Sequence, residues 1–247
     1  MKKVLSLMLA GFALLANQSH SVTFFADDFE AAGAAGATKI GAPWVMNKEV
    51  FSPSGALLGA YNPGYTFGPN AIAAGGAGGS AWSGKVWPDY DYEPDWRGDW
   101  GAFPNLTGNR QAIGLLVSKV GLTAEDIAPG VIQFDFDYLR DRPVGPNAQA
   151  YGFVKLLSPS WETWAVNTFN LAASGDWLHG SARMTFDGTQ VGANLQWGIV
   201  VSDVNYGGGA GVKIDNVTVS NVPEPTSASL LGLGLAGLLA TRFRRRS

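Results

Sequence analysis

Between two apolar ends, the chain reads as a succession of short alternating runs. The clearest is Val131–Arg140, where Ile132, Phe134, Phe136 and Tyr138 point one way and Gln133, Asp135 and Asp137 the other. A hydrophobic period of two is the mark of a half-buried strand. Val22–Phe29, Gln111–Val120, Tyr151–Leu157, Trp161–Phe169, Trp177–Phe186, Leu195–Ser202 and Val212–Ser220 carry strand signals, with turn residues between them. Those spacings predict an all-β fold, a single antiparallel β-sandwich over residues 22–221. Thr123–Ile127 predicts one helical turn capped by Thr123. Ala31–Ala37 and Ala73–Ser80, built of Ala, Gly and Ser, predict flexible and poorly ordered loops. No linker divides the body, and no repeat occurs at the spacing of solenoids or propellers.

The two ends read as addresses rather than as fold. Met1–Ser21 opens on Lys2 and Lys3, runs through an apolar stretch from Val4 to Ala16, and offers Ser19 and Ser21 for cleavage before Val22. This is the layout of a signal peptide removed by signal peptidase. The alternative is an uncleaved anchor, for which the stretch is short. At the other end, Pro223-Glu224-Pro225 precedes an uncharged stretch, 226–241, and then Arg242, Arg244, Arg245 and Arg246. That stretch spans ~24 Å as a helix, slightly under the ~30 Å of bilayer hydrocarbon. Thinning and snorkelling arginines absorb such a mismatch, and the cluster stays cytoplasmic.

Val222-Pro223-Glu224-Pro225, a short span and a terminal Arg cluster resemble the PEP-CTERM sorting signal of Gram-negative, exopolysaccharide-producing bacteria. The resemblance covers residues 222–247. It implies recognition and cleavage near Pro-Glu-Pro by an exosortase, with transient anchoring in the inner membrane and release to the envelope or extracellular matrix. An ordinary tail anchor is the alternative.

Composition narrows the chemistry of the body. The 247 residues include no Cys, which excludes disulfides, thiolate catalysis, Cys-ligated zinc, iron–sulfur clusters and c-type haem. Residues 22–221 carry 11 Lys and Arg against 19 Asp and Glu, a formal −8. A body without a basic face does not bind nucleic acid.

Leu195–Ser202, the Gly-rich Gly207–Gly211 and Val212–Ser220 resemble the last two strands of galactose-binding-like jelly rolls. Carbohydrate-binding modules of this fold often end in an apolar-Asp-Asx-Val strand, here Ile214-Asp215-Asn216-Val217. They often begin with an acidic-aromatic segment, here Asp27-Asp28-Phe29-Glu30. The resemblance implies that first and last strands lie together and share a structural calcium ion. Asp28, Glu30 and Asp215 would then converge, with backbone carbonyls completing the oxygen shell that calcium requires. Otherwise Asp215 caps or pairs at the strand end, and Asp27 and Asp28 are solvated.

The most unusual stretch is Trp87–Trp100 (WPDYDYEPDWRGDW), where Trp87, Tyr90, Tyr92, Trp96 and Trp100 alternate with carboxylates including Asp95. Flat aromatic faces stack on sugar rings while carboxylates accept from sugar hydroxyls. The alternative is a loop folding its aromatics onto the sandwich as a satellite core. The Asp89-x-Asp91-x-Glu93 spacing mimics an EF-hand opening, but Pro94 stands where that loop needs Gly. By period, Trp164, Trp177 and Trp197 are expected in the core, and Trp161 at the surface.

Catalysis finds no support in the sequence. Glu30, Glu49, Glu93, Glu125 and Glu162 show no spacing that singles out a facing pair, and no nucleophile-elbow, Walker or zinc-protease motif occurs. His179 reads as a strand-edge residue without a visible Ser or carboxylate partner. The sequence thus predicts an exported, exosortase-sorted sandwich that binds exopolysaccharide without catalysis, with a purely structural matrix protein and a polysaccharide-degrading enzyme as alternatives.

Overall fold

In β7 (Gly130–Leu139) alternation becomes packing: Ile132, Phe134, Phe136 and Tyr138 are buried, while Gln133, Asp135 and Asp137 lie on the other face. The computed structural model describes residues 22–51, 57–61, 70–86, 110–128, 130–140, 149–204 and 211–223. The predicted signal peptide (1–21) and span (226–241) lie outside them. Among the described residues no helix is long and apolar enough to cross a membrane.

Two six-stranded antiparallel sheets form the sandwich that the alternation predicts. The first sheet has the order β10 (Leu178–Thr185), β7, β12 (Val212–Pro223), β5 (Trp82–Val86) and β4 (Asn70–Ala74), with β1 (Val22–Asp27) also pairing β12. The second runs β3 (Leu57–Tyr61), β2 (Val45–Phe51), β6 (Arg110–Lys119), β11 (Asn194–Val204), β8 (Gln149–Leu157) and β9 (Thr163–Asn170). From β5 onward the chain passes repeatedly between the sheets, so most sheet neighbours are distant in sequence. β12 is the hub of the first sheet, pairing β5 and then β1 along one edge and β7 along the other.

Close approach of the sheets rests on small residues facing aromatic rings. Phe136 stacks on Phe134 with centroids 4.6 Å apart and meets Phe169 edge-on at 6.3 Å. Its ring lies over Gly180 of β10 and against Gly152 of β8, in the opposite sheet. A Cβ at Gly152 would sit 2.3 Å from that ring, and one at Gly180 2.7 Å. Similarly, Gly84 of β5 lies beneath Phe29, and Gly33 beneath Trp82.

That packing explains where sequence reading and structure part. Ala31–Ala37 is not a loose loop: Glu30–Ala34 forms a short helix, α1, with Gly33 seated under the Trp82 indole. Within Ala73–Ser80, Ala73 and Ala74 complete β4 and Ala77–Gly79 makes a 3-10 turn. Strands β2 to β5 carry no clear alternation, and in β5 the small residue Gly84 receives the Phe29 ring. Trp161 and Glu162 precede β9 rather than opening it, and Trp177 precedes β10. The predicted turn at Thr123 forms as α2 (Ala124–Ile127), with Thr123 Oγ1 accepting from the Asp126 amide and Asp126 accepting from the Thr123 amide. The last strand continues to Pro223, beyond the expected boundary at 221.

Gly152→Ala should lower stability by about 1–3 kcal/mol through overpacking against Phe136. Gly114→Ala, whose Cβ would meet nothing nearer than 3.8 Å, should not. Paired urea denaturation curves separate the two.

Candidate functional site

Trp87, Tyr90, Tyr92, Asp95, Trp96 and Trp100 lie outside the described residues. What the fold fixes is where their segment starts and returns: it leaves β5 in the first sheet and enters β6 in the second.

The acidic ends meet as the resemblance implies. β1 pairs antiparallel with β12 over Val22–Asp27, with Asp27 opposite Val217. Asp27 is spent internally, accepting from the Phe29 amide (2.9 Å) and from Trp44 Nε1 (2.7 Å). Asp28 is exposed and accepts from the Glu30 amide at 3.1 Å. Glu30 reaches across to β5, where one carboxylate oxygen accepts from the Trp82 amide at 2.8 Å. Asp215 is fully buried. Its register slips between Asp215 and Thr218, a bulge with Asn216 at φ 49° that re-aims the chain.

The 3-10 turn after β4 wraps the Asp215 carboxylate. Oδ2 accepts from the Ala77 amide and Oδ1 from the Asn216 amide, each at 2.8 Å. Gly76 packs so close that a Cβ there would lie 2.3 Å from both Asp215 Oδ2 and the Trp82 carbonyl. Burial pushes the Asp215 pKa up, and nearby Glu30 adds to the rise, against the lowering pull of the Asn216 and Ala77 amides and the Ser80 hydroxyl. Glu30 and Asp215 thus flank one backbone stretch, Gly76 to Trp82, while Asp28 sits on an exposed turn. Among the described residues, no three His, Asp or Glu side chains gather as a metal set. The sequence reading missed Gly76 and Ala77; the run of glycines at 75–79 was their signal.

His179 corrects an expectation. It is an edge residue of β10, but it does have carboxylate partners: Nδ1 lies 3.1 Å from Asp137 and Nε2 3.5 Å from Asp135, on the outer face of the first sheet. Asn216 Nδ2 also donates to Asp137, at 2.8 Å. Register places these groups side by side, with His179 opposite Asp137 and Asp137 opposite Asp215.

The tryptophans divide by burial. Trp44 and Trp197 are core, and Trp177 is half-buried. Trp161 is exposed, as its loop position predicts. Trp164 is exposed as well, against expectation: it stands on the outer face of β9, the edge strand of its sheet, and alternation cannot distinguish inner from outer face. Glu125 and Glu162 are exposed.

Residues 221–246 match the PEP-CTERM protein-sorting motif. No curated protein sequence matches the chain. Solved structures with similar backbones include the enzymatically active domain of bacteriophage CBA120 tailspike protein 4, at 8% identity and TM-score 0.41, covering 72% of this chain and 19% of that one. A carbohydrate-binding module of the β-sandwich superfamily aligns at 13% identity and TM-score 0.44, over 80% of this chain and 61% of that one. A Stig cyclase from Fischerella sp. TAU aligns at 13% identity and TM-score 0.46, over 83% and 99%. The chain thus spans less than two thirds of the first two.

Because its folded pKa is raised, Asp215 favours the native state most when protonated, and that advantage fades as pH rises through the folded value. In chelator, the Tm of the native sequence relative to Asp215→Asn should therefore climb as pH is lowered from neutral into the carboxylate range. Thermal melts of both proteins across that window check the sign.

Proposed function

We propose that this chain is an exported matrix protein whose β-sandwich binds exopolysaccharide without catalysis. The observation carrying the reading is one chain that joins a sorting motif to a sandwich bearing the acidic-aromatic segment Trp87–Trp100. Signal peptidase and an exosortase process the two ends, and the arginine cluster holds the precursor in the inner membrane until sorting. β12 ends at Pro223, so cleavage on the C-terminal side of Pro223-Glu224-Pro225 would leave the sandwich entire. In the bound state, Trp87, Tyr90, Tyr92, Trp96 and Trp100 offer stacking faces, and Asp95 accepts sugar hydroxyls.

Calcium belongs to the same reading. Glu30 and Asp215 are the residues that would hold it, with backbone carbonyls beside Gly76; Asp28 is set aside because its side chain serves an exposed turn. A divalent cation would neutralise a buried carboxylate that burial and Glu30 both disfavour in its charged form. Its role would be structural, clipping β1 and β12 to the β4–β5 turn in a chain without disulfides.

Two outcomes follow. The exported chain should co-sediment with the producing organism's insoluble exopolysaccharide, and a folded Trp96→Ala, Trp100→Ala double variant should bind roughly tenfold less. Absence of binding by the native sequence would leave a structural matrix protein as the better description. Calcium at about a hundredfold excess over Kd should raise Tm on the order of 5–10 °C over chelator, and Asp215→Asn should abolish the shift. Equal melts with and without calcium remove the metal from the account.

A further inference from the structure

Two aromatic residues share an uncommon backbone: Phe29 at φ 59° and Trp161 at φ 70°. For a side chain with a Cβ that region costs ~1–3 kcal/mol and persists only where the surroundings enforce it. At Phe29 packing repays the strain. The ring is 1% exposed, stacks on Trp44 at a centroid distance of 6.0 Å and covers Gly84. At Trp161 nothing comparable happens, for the residue is 49% exposed.

The strained turn is nevertheless held firmly. Buried Ser158 donates its amide to the Glu162 carbonyl (2.7 Å) and accepts the Trp161 amide at its own carbonyl (2.9 Å). Its hydroxyl accepts from the Glu162 amide and pairs with the Ser160 hydroxyl, both at 2.9 Å. Buried Asn194 donates to the Ser158 carbonyl and accepts from the Gly121 amide, each at 3.1 Å. A satisfied buried network of this kind specifies one conformation. Here the conformation it specifies puts an indole in water.

Trp164, 53% exposed, and Val166 follow on the outer face of β9, an edge strand. Trp161 and Trp164 lie three residues apart in the chain, at most ~10 Å between their Cα atoms. By alternation Thr168 and Asn170 share the outer face of β9 with Trp164 and Val166, and Glu162 is the one charged residue between Ser158 and Leu171. Lys155, opposite Val166 on β8, is the nearest cation in register. One carboxylate, Glu162, and one ammonium, Lys155, leave this face without net charge, and neutral donors and acceptors beside flat apolar faces suit an uncharged, hydroxyl-rich ligand rather than a polyanion.

We propose that Trp161 and Trp164 form a second platform, separate from Trp87–Trp100, that stacks on a neutral polysaccharide chain. The proposal rests on the exopolysaccharide reading for its ligand, and its own content is the location and the preference for neutral sugar. Glu162 and the β9 Thr and Asn side chains would hydrogen-bond the sugar hydroxyls.

The test uses the full chain in mild detergent and the producing organism's exopolysaccharide, separated by anion exchange into neutral and acidic fractions. Trp161→Gly removes the ring and relieves the backbone at once, so its Tm should equal or exceed that of the native sequence. Combined with Trp164→Ala, it should weaken binding to the neutral fraction at least roughly tenfold. Undiminished binding by that double variant, alongside loss in Trp96→Ala, Trp100→Ala, rejects the platform and leaves the broader reading intact. No binding of the native sequence to either fraction rejects both. A fall of several degrees in the Tm of Trp161→Gly assigns the ring a structural role and overturns the proposal, as does binding confined to the acidic fraction. A dimer seen by sizing and lost in Trp164→Ala would give β9 to a second copy instead.

Discussion

The sandwich depends on how closely its two sheets approach around Phe136. One ring occupies the space above Gly180 in its own sheet and against Gly152 in the other. Neither neighbour has room for a methyl group, so the separation of the sheets is set locally by backbone against ring. Native interiors pack at near-crystalline density, and such a contact transmits its geometry outward. Phe134, Tyr138 and Phe169 gather on the same ring, so the inner faces of β7, β8, β9 and β10 share one aromatic cluster.

The same device recurs at the other end of the sandwich, where it shapes the acidic clasp. Phe29 over Gly84 and Trp82 over Gly33 seat α1 and β5 against each other. That seating delivers Glu30 to the Trp82 amide and brings the Gly76 turn around Asp215. β1 and β12, the first and last strands of the described residues, form a strand pair, and β12 is hydrogen-bonded on both edges. The sorting motif begins at residue 221, within that last strand.

Surface aromatics tell a different story from core ones. Trp44 and Trp197 are held by packing, with Trp44 also donating to Asp27. Trp161 is held by hydrogen bonds beneath its backbone and leaves its ring free. Stability alone favours glycine at such a position. An aromatic kept there marks the turn as a place where the fold presents a side chain rather than hides one.

Much of this was legible in the linear order. Alternation located β6 to β12 to within a few residues, Thr123 announced its cap, and Pro-Glu-Pro announced the sorting motif. The acidic-aromatic opening and the apolar-Asp-Asn-Val close anticipated that β1 and β12 lie together. Strands β2 to β5, helix α1 and the outward face of Trp164 were not legible. Alternation reports that a strand has two faces without saying which one meets the opposite sheet, and small residues carry no period of their own. In α1 and β5 the partners are rings from elsewhere in the chain, Trp82 above Gly33 and Phe29 above Gly84. The left-handed turn at Trp161 was equally hidden, because it is enforced by Asn194, a residue 33 positions further along. Sequence by itself determined the sandwich class, the sorting address and the exclusion of cysteine chemistry, since each rests on local pattern or composition. Only the tertiary structure decided which carboxylates converge and which indoles face water, since both depend on contacts between elements that the chain order keeps apart.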